Sequence, residues 1–119
     1  MALVLCTGAD RVLLATRVML LQRAGHTVIP TTSEPELLAA CREHKFHVAV
    51  IGQGMSAPEK QRVFKLLTTH CPGVKILELY VPGAGRVLDK ADDWLQVPAQ
   101  IPQDLPSRVS ALAEKSVGT

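Results

Sequence analysis

Cys41, His44 and His47 are the residues of this sequence that most resemble a metal cluster. Thiolate and imidazole are zinc ligands. His44 falls at the end of a predicted helix and His47 at the start of a predicted strand, so we expect their side chains to point in unrelated directions. We therefore predict no metal site. No spacing pairs a nucleophile with a base, and we expect no enzyme.

Glycines follow three predicted strands, and they define a second candidate site. A bound anion or nucleotide would lie beyond the strand ends, where loop amides favour negative charge. The candidate ligand loops contribute Gly8, Gly54, Gly83, Gly85 and Arg86. The alternative is that the glycines serve tight backbone geometry. We favour this alternative because the sequence contains neither a dinucleotide fingerprint nor a P-loop.

Glu78 stands in an otherwise apolar predicted strand. A buried glutamate often has a functional role. The segment that follows is short, however, and we expect it to leave Glu78 in contact with water. The sequence therefore favours a structural role for this residue.

The composition indicates one globular domain over residues 1–119, with 47% hydrophobic and 20% charged residues. Aromatic residues make up only 3% and the basic residues are scattered, so we expect no nucleic-acid partner. No apolar run reaches the roughly 18 residues that a membrane span needs, and no cationic leader is evident. Cys6, Cys41 and Cys71 are predicted to be buried free thiols, which indicates a cytoplasmic location.

Strands and helices alternate along the chain. Apolar runs predict strands at residues 2–6, 26–29, 46–51, 74–81 and 93–97. Capping residues predict helices that begin after Asp10, Ser33 and Ser56 and at Asp104. The segment between the last two strands has room for only a short fourth helix. This order favours an α/β flavodoxin-like fold, a five-stranded parallel sheet in the order 2-1-3-4-5 with the fourth helix shortened or missing. A Rossmann half is the alternative.

Three segments resemble the receiver domain of two-component response regulators. Residues 46–52 (FHVAVIG) are similar to the family's FDLVILD strand, 71–79 (CPGVKILEL) to PDIKVLVLT, and 91–98 (ADDWLQVP) to ADDYLxKP. The likeness extends from about residue 3 to residue 113. It implies a phosphorylation site at the carboxyl ends of the strands, with an acid pair for Mg²⁺, an aspartate acceptor, a hydroxyl and a lysine.

Each of these groups is missing at the position that the resemblance assigns to it. The acid pair falls on Gly8 and Ala9, the acceptor on Gly52, the hydroxyl on Tyr80 and the lysine on Val97. Glycine has no oxygen to phosphorylate. The resemblance thus implies a non-phosphorylatable receiver-like domain in signal transduction, without cofactor or metal. The alternative is the anion- or nucleotide-binding module described above.

The short segment before the last strand predicts an interaction surface. Without a full fourth helix, apolar side chains would remain exposed, and such patches often mark interfaces. We expect a protein partner or a second copy of the chain to bind there. The candidate interface comprises Val87, Leu88, Trp94, Leu105, Arg108 and Val109.

Overall fold

A computed structural model describes the backbone of residues 2–117 and the side chains of residues 2–116. Five parallel strands form one sheet in the order β2-β1-β3-β4-β5, as the sequence predicted. The strands are β1 (Leu3–Thr7), β2 (Thr27–Thr31), β3 (Val48–Ile51), β4 (Lys75–Tyr80) and β5 (Asp93–Gln96). The helices are α1 (Arg11–Arg23), α2 (Glu34–Glu43), α3 (Ala57–His70) and α4 (Asp104–Val117).

The predicted helix starts are present as hydrogen-bonded caps. The Asp10 carboxylate accepts from the backbone N–H groups of Val12 and Leu13. Ser56 and Glu59 form a complete capping box at the start of α3. At α2 the Ser33 hydroxyl accepts from the Glu36 N–H, but the Glu36 carboxylate accepts from Thr32, so the box expected there is only half formed. These bonds satisfy N–H groups that have no partner within the helix.

The second strand extends beyond its predicted end. The sequence placed its stop at Pro30, whereas β2 continues to Thr31 and pairs Pro30 with Cys6. β2 is one of the two edge strands of the sheet, and an edge position does not require the N–H that proline lacks.

Successive strand residues divide between two apolar layers. Val4 and Val50 face α1 and α4, whereas Leu5 and Ile51 face α2 and α3. This alternation follows from the two-residue period of a strand. The core is thus split by the sheet, and the carboxyl ends of the strands lie at one edge.

The β4–β5 loop, residues 81–92, contains turns but no helix, which confirms the predicted loss of the fourth helix. It does not leave the sheet bare. Leu88 and Ala91 are buried in the α2–α3 layer, and the Trp94 indole N–H donates to the Leu88 carbonyl oxygen at 2.9 Å. The expected exposure of Leu88 is therefore wrong, because the loop folds back onto the sheet.

The prediction of three free thiols is wrong for two of the cysteines. Cys41 in α2 and Cys71 after α3 form a disulfide, with their Cα atoms 5.4 Å apart. The two helices lie side by side on one face of the sheet, which brings together residues 30 positions apart. Only Cys6 is free among the described residues. The cysteines thus no longer support a reducing compartment. No helix within residues 2–117 has the length and apolar character to cross a membrane.

Candidate functional site

The sheet brings together the positions that the resemblance assigned to phosphorylation. Gly8 follows β1, Gly52 follows β3, Tyr80 ends β4 and Val97 follows β5. The Gly52 N–H donates to the Thr7 carbonyl oxygen at 2.9 Å, and the Val97 N–H donates to the Tyr80 carbonyl oxygen at 2.8 Å. These positions therefore lie along the carboxyl edge of the sheet, in the arrangement that the family resemblance predicts.

The side chains at this edge do not fit a magnesium ion. Mg²⁺ takes oxygen ligands, usually carboxylates and water. Within residues 2–117 no group of three or more His, Cys, Asp or Glu side chains could hold a metal. Asp10 is the nearest acidic residue in sequence, and its carboxylate is engaged as the cap of α1.

A guanidinium lies beside the position of the missing acceptor. Arg17 is on the inner face of α1 between Leu14 and Leu21 and is 9% exposed. A Cβ at position 52 would lie 3.2 Å from Arg17 Nη1 and 3.2 Å from the Thr7 carbonyl oxygen. Gly52 thus provides the space that the guanidinium needs. Arg17 also donates to the Gln53 side-chain oxygen, in the loop that follows β3.

No residue that the structure describes provides a compensating anion in contact with Arg17. None of the ion pairs among the described residues includes Arg17. Burial raises the pKa of the Cys6 thiol to about 11, so this neighbour is uncharged at neutral pH. Burial also lowers the pKa of Arg17, although the negative charges of Asp10 and, once it has ionised, of Cys6 favour the charged form of Arg17. An arginine nevertheless keeps its proton in proteins, so the edge holds a buried positive charge.

A second buried charge lies nearby on the opposite face of the sheet. Glu78 is 0% exposed, so the expectation that water reaches it is wrong. Its carboxylate accepts from Lys60 Nζ at 2.8 Å and from the Leu88 N–H at 2.8 Å. It also accepts from the Val87 N–H, 2.9 Å from its nearer oxygen. Lys60 in turn donates to the Leu79 carbonyl oxygen at 2.8 Å. Glu78 therefore ties the β4–β5 loop to α3.

The candidate ligand loops are placed around separate hollows. Gly8 lines a cavity of about 140 Å³ at the starts of α2 and α3. Arg86 lines a different hollow, between β5 and α4. Its guanidinium carbon lies 4.7 Å from the centre of the Trp94 ring and 5.7 Å from that of Tyr80. A Cβ added at Gly83 or Gly85 would have no other heavy atom of the described chain within 4 Å. The same is true of Gly54.

Half of the candidate interface is inaccessible. Leu88, Leu105 and Val109 are buried, because the first packs from the β4–β5 loop into the α2–α3 layer and the others pack α4 onto the sheet. Val87 and Trp94 are half-buried, and Arg108 is exposed. The Arg108 guanidinium donates to the Asp93 carboxylate and to the Trp94 carbonyl oxygen, each at 3.0 Å. The large apolar side chains that are exposed lie elsewhere, on α1 and before α4: Val12, Leu13, Met19 and Ile101.

Sequence reasoning missed Arg17 and Lys60. Both were detectable as charged residues within an inward-facing stripe. Arg17 falls at the middle of the i, i+3, i+7 series Leu14, Arg17, Leu21, and Lys60 begins the series Lys60, Val63, Leu67. A long charged side chain in such a stripe predicts a buried polar contact, although the partner depends on the tertiary fold.

Solved structures of receiver domains match this fold over nearly its whole length. The CheY-like receiver domain protein from Methanospirillum hungatei JF-1 matches with a TM-score of 0.83 and 14% identity, covering 98% of each chain. A receiver domain protein from Clostridium thermocellum has a TM-score of 0.79 and 17% identity, also covering 98% of each chain. The Francisella response regulator 1452 receiver domain has a TM-score of 0.76 and 18% identity, covering 98% of this chain and 99% of its own.

No family model and no curated protein matches the sequence. At these identities the structural likeness establishes the fold. The chain is receiver-like in architecture, with the strand order and helix placement of the CheY-like structures.

Proposed function

We propose that this chain is a receiver-like signalling module that works without phosphorylation, by contact with a protein partner or with a second copy of itself. The supporting observation is the pairing of Gly52 with Arg17 at the edge where a receiver would hold its acceptor. An aspartyl phosphate needs a carboxylate there and a metal to neutralise its charge. Gly52 has no oxygen to accept a phosphoryl group, and a Cβ at this position would lie only 3.2 Å from Arg17 Nη1 and from the Thr7 carbonyl oxygen. It acts as a non-enzymatic binding domain.

The chemical half of this proposal is tested by intact mass. The protein is incubated with acetyl phosphate and Mg²⁺ beside a phosphorylatable receiver domain as positive control. We expect the control to gain a phosphoryl group and this chain to keep its mass. A hydroxylamine-sensitive adduct on any carboxylate of this chain would overturn the proposal.

The contact surface that we propose lies along β5, where exposed charged groups surround an aromatic ring. β5 pairs with β4 alone among the described strands, so its other side is a sheet edge. Exposed Arg86 and Arg108 flank Trp94 there. Aromatic and arginine side chains are enriched in protein interfaces.

Self-association is tested by light scattering over a range of concentrations. We expect the charge reversal Arg108→Glu to weaken association, and Arg62→Glu on α3 serves as the matched control, because Arg62 also pairs with an exposed carboxylate. A strict monomer whose mobility is unchanged by every candidate partner would contradict the contact half of the proposal.

A further inference from the structure

A cavity of about 380 Å³ lies between α1, the carboxyl ends of β4 and β5, and the segment before α4. Its walls are mainly apolar. They are formed by Leu13, Leu79, Leu95, Val97, Pro98 and Leu105, among others. The volume falls within the range of about 300–1,000 Å³ that is usual for small-molecule sites. A ligand that fills it would need a largely apolar body.

The charged group in this cavity is Arg17, which shares the lining with Gln53. The side chain is 9% exposed, yet the described part of the chain provides no carboxylate in ion-pair contact with it. A guanidinium has five N–H donors, and the bond to Gln53 uses one of its nitrogens. No nitrogen of Arg17 is both fully buried and without a hydrogen-bond partner, so the donors that do not bind Gln53 are accessible. The cavity thus combines apolar walls with a cation whose donors are mostly unused.

The hydrogen-bond donors of the guanidinium indicate which polar group the ligand carries. Its planar, forked donors match a carboxylate, which can accept two parallel hydrogen bonds. Neighbouring Cys6 is a neutral thiol and cannot take that role. Gly52 leaves the guanidinium free of a clash at the end of β3. The hydrogen bond to the Gln53 side chain holds the arginine beside the cavity.

We propose that this cavity binds an amphipathic carboxylate, with its head on Arg17 and its hydrocarbon or aromatic body between α1 and the segment 98–102. Such a ligand would be a small-molecule signal that binds at the edge of the sheet where a receiver is phosphorylated. This inference does not depend on the proposed protein contact. It also does not require that phosphorylation be absent.

The test is a calorimetric titration of the full chain with four probes. Octanoate carries both the carboxylate and the hydrocarbon chain. Octanol carries the hydrocarbon chain alone, acetate carries the carboxylate alone, and octyl phosphate replaces the carboxylate with a phosphate. We expect octanoate to bind, octanol to bind at least tenfold more weakly, and acetate to show no saturable binding. Amide shifts in a ¹⁵N-correlation spectrum should locate octanoate at residues 13–20 and 95–102.

Two variants assign the binding to the cavity. Arg17→Met keeps an unbranched stem and removes the charge, and we expect it to weaken octanoate by about 10- to 100-fold, the range for hydrogen bonds to a charged group. Octanol binding should change little. Arg62→Met, at an exposed arginine on α3, is the matched control and should bind octanoate like the wild type. Because a substitution at buried Arg17 can prevent folding, Ala99→Trp, at another residue that lines the cavity, provides an independent way to block ligand binding.

Each remaining outcome counts against the proposal. Absence of octanoate binding to the wild type would overturn it. Equal binding by the wild type, Arg17→Met and Ala99→Trp would place the ligand elsewhere. Tighter binding of octyl phosphate than of octanoate would overturn the carboxylate assignment.

Discussion

The substitution Glu78→Gln should strongly destabilise the protein, although it removes no heavy-atom volume. The wild-type carboxylate is fully buried and accepts from Lys60 Nζ and from the N–H groups of Val87 and Leu88. A glutamine keeps one acceptor oxygen and turns the other into a donor. Lys60 would then be a buried cation without a counter-charge, and whichever way the amide lies, its NH2 faces a donor, either Lys60 Nζ or the Leu88 N–H.

Breaking a buried ion pair by removing one partner costs about 3–5 kcal/mol. This is a large part of the roughly 5–15 kcal/mol that stabilises a typical domain. With a urea m-value of about 2 kcal/mol/M, the unfolding midpoint should fall by about 1.5–2.5 M. Trp94 is the sole tryptophan, and its indole N–H binds the Leu88 carbonyl oxygen, so its fluorescence reports on the same loop.

The matched control is Glu34→Gln. Glu34 pairs with Arg62, which is also on α3, but both side chains are substantially exposed. An exposed pair contributes at most about 1 kcal/mol. Adding Lys60→Met to Glu78→Gln should recover part of the loss, because no charge then remains at this site. Equal midpoints for Glu78→Gln and Glu34→Gln would refute the reasoning, as would unchanged hydrogen exchange of the Val87 and Leu88 amides.

Further predictions concern the backbone, the histidine and the thiols. Gly52→Ala should lower the free energy of unfolding, measured by chemical denaturation, by about 1–3 kcal/mol, because the added Cβ meets fixed backbone at Thr7. Gly54→Ala should change it by no more than about 0.5 kcal/mol, and equal effects of the two substitutions would contradict this prediction. Burial lowers the pKa of His26, whose Nδ1 accepts from the Ala2 N–H. The contribution of the neutral His26 to the free energy of unfolding should therefore be full above about pH 6.5 and decline as the pH falls. In melting experiments at different pH values, His26→Gln should flatten that decline. A thiol titration of the unfolded, unreduced protein should detect Cys6 alone, and three reactive thiols would contradict the Cys41–Cys71 bond.

The sequence predicts the fold well because the relevant signals are local. Asp10 and Ser56 cap their helices as expected, and the glycine after α1 takes a positive φ of 95°. The apolar runs define all five strands, with ends that lie within two residues of those in the structure. The spacing between β4 and β5 leaves room for only a short helix, and none forms there.

The site could be predicted only in outline because its contacts join distant segments. The sequence shows that position 52 lacks a carboxylate, but not that Arg17 from α1 lies against it. It shows an unusual Glu78, but not that Lys60 lies 2.8 Å away or that the loop folds back to cover both. The disulfide is hidden in the same way, since only the packing of α2 beside α3 brings its cysteines together.

The most direct test of the central claim is a spectrum of the carboxyl edge during titration with Mg²⁺ and beryllofluoride, a phosphoryl mimic. If Arg17 and Gly52 have replaced the acidic acceptor site, the amide signals of Gly8, Gly52 and Gln53 should not move at saturating amounts of both. Saturable shifts confined to those amides, and dependent on both additives, would contradict the account.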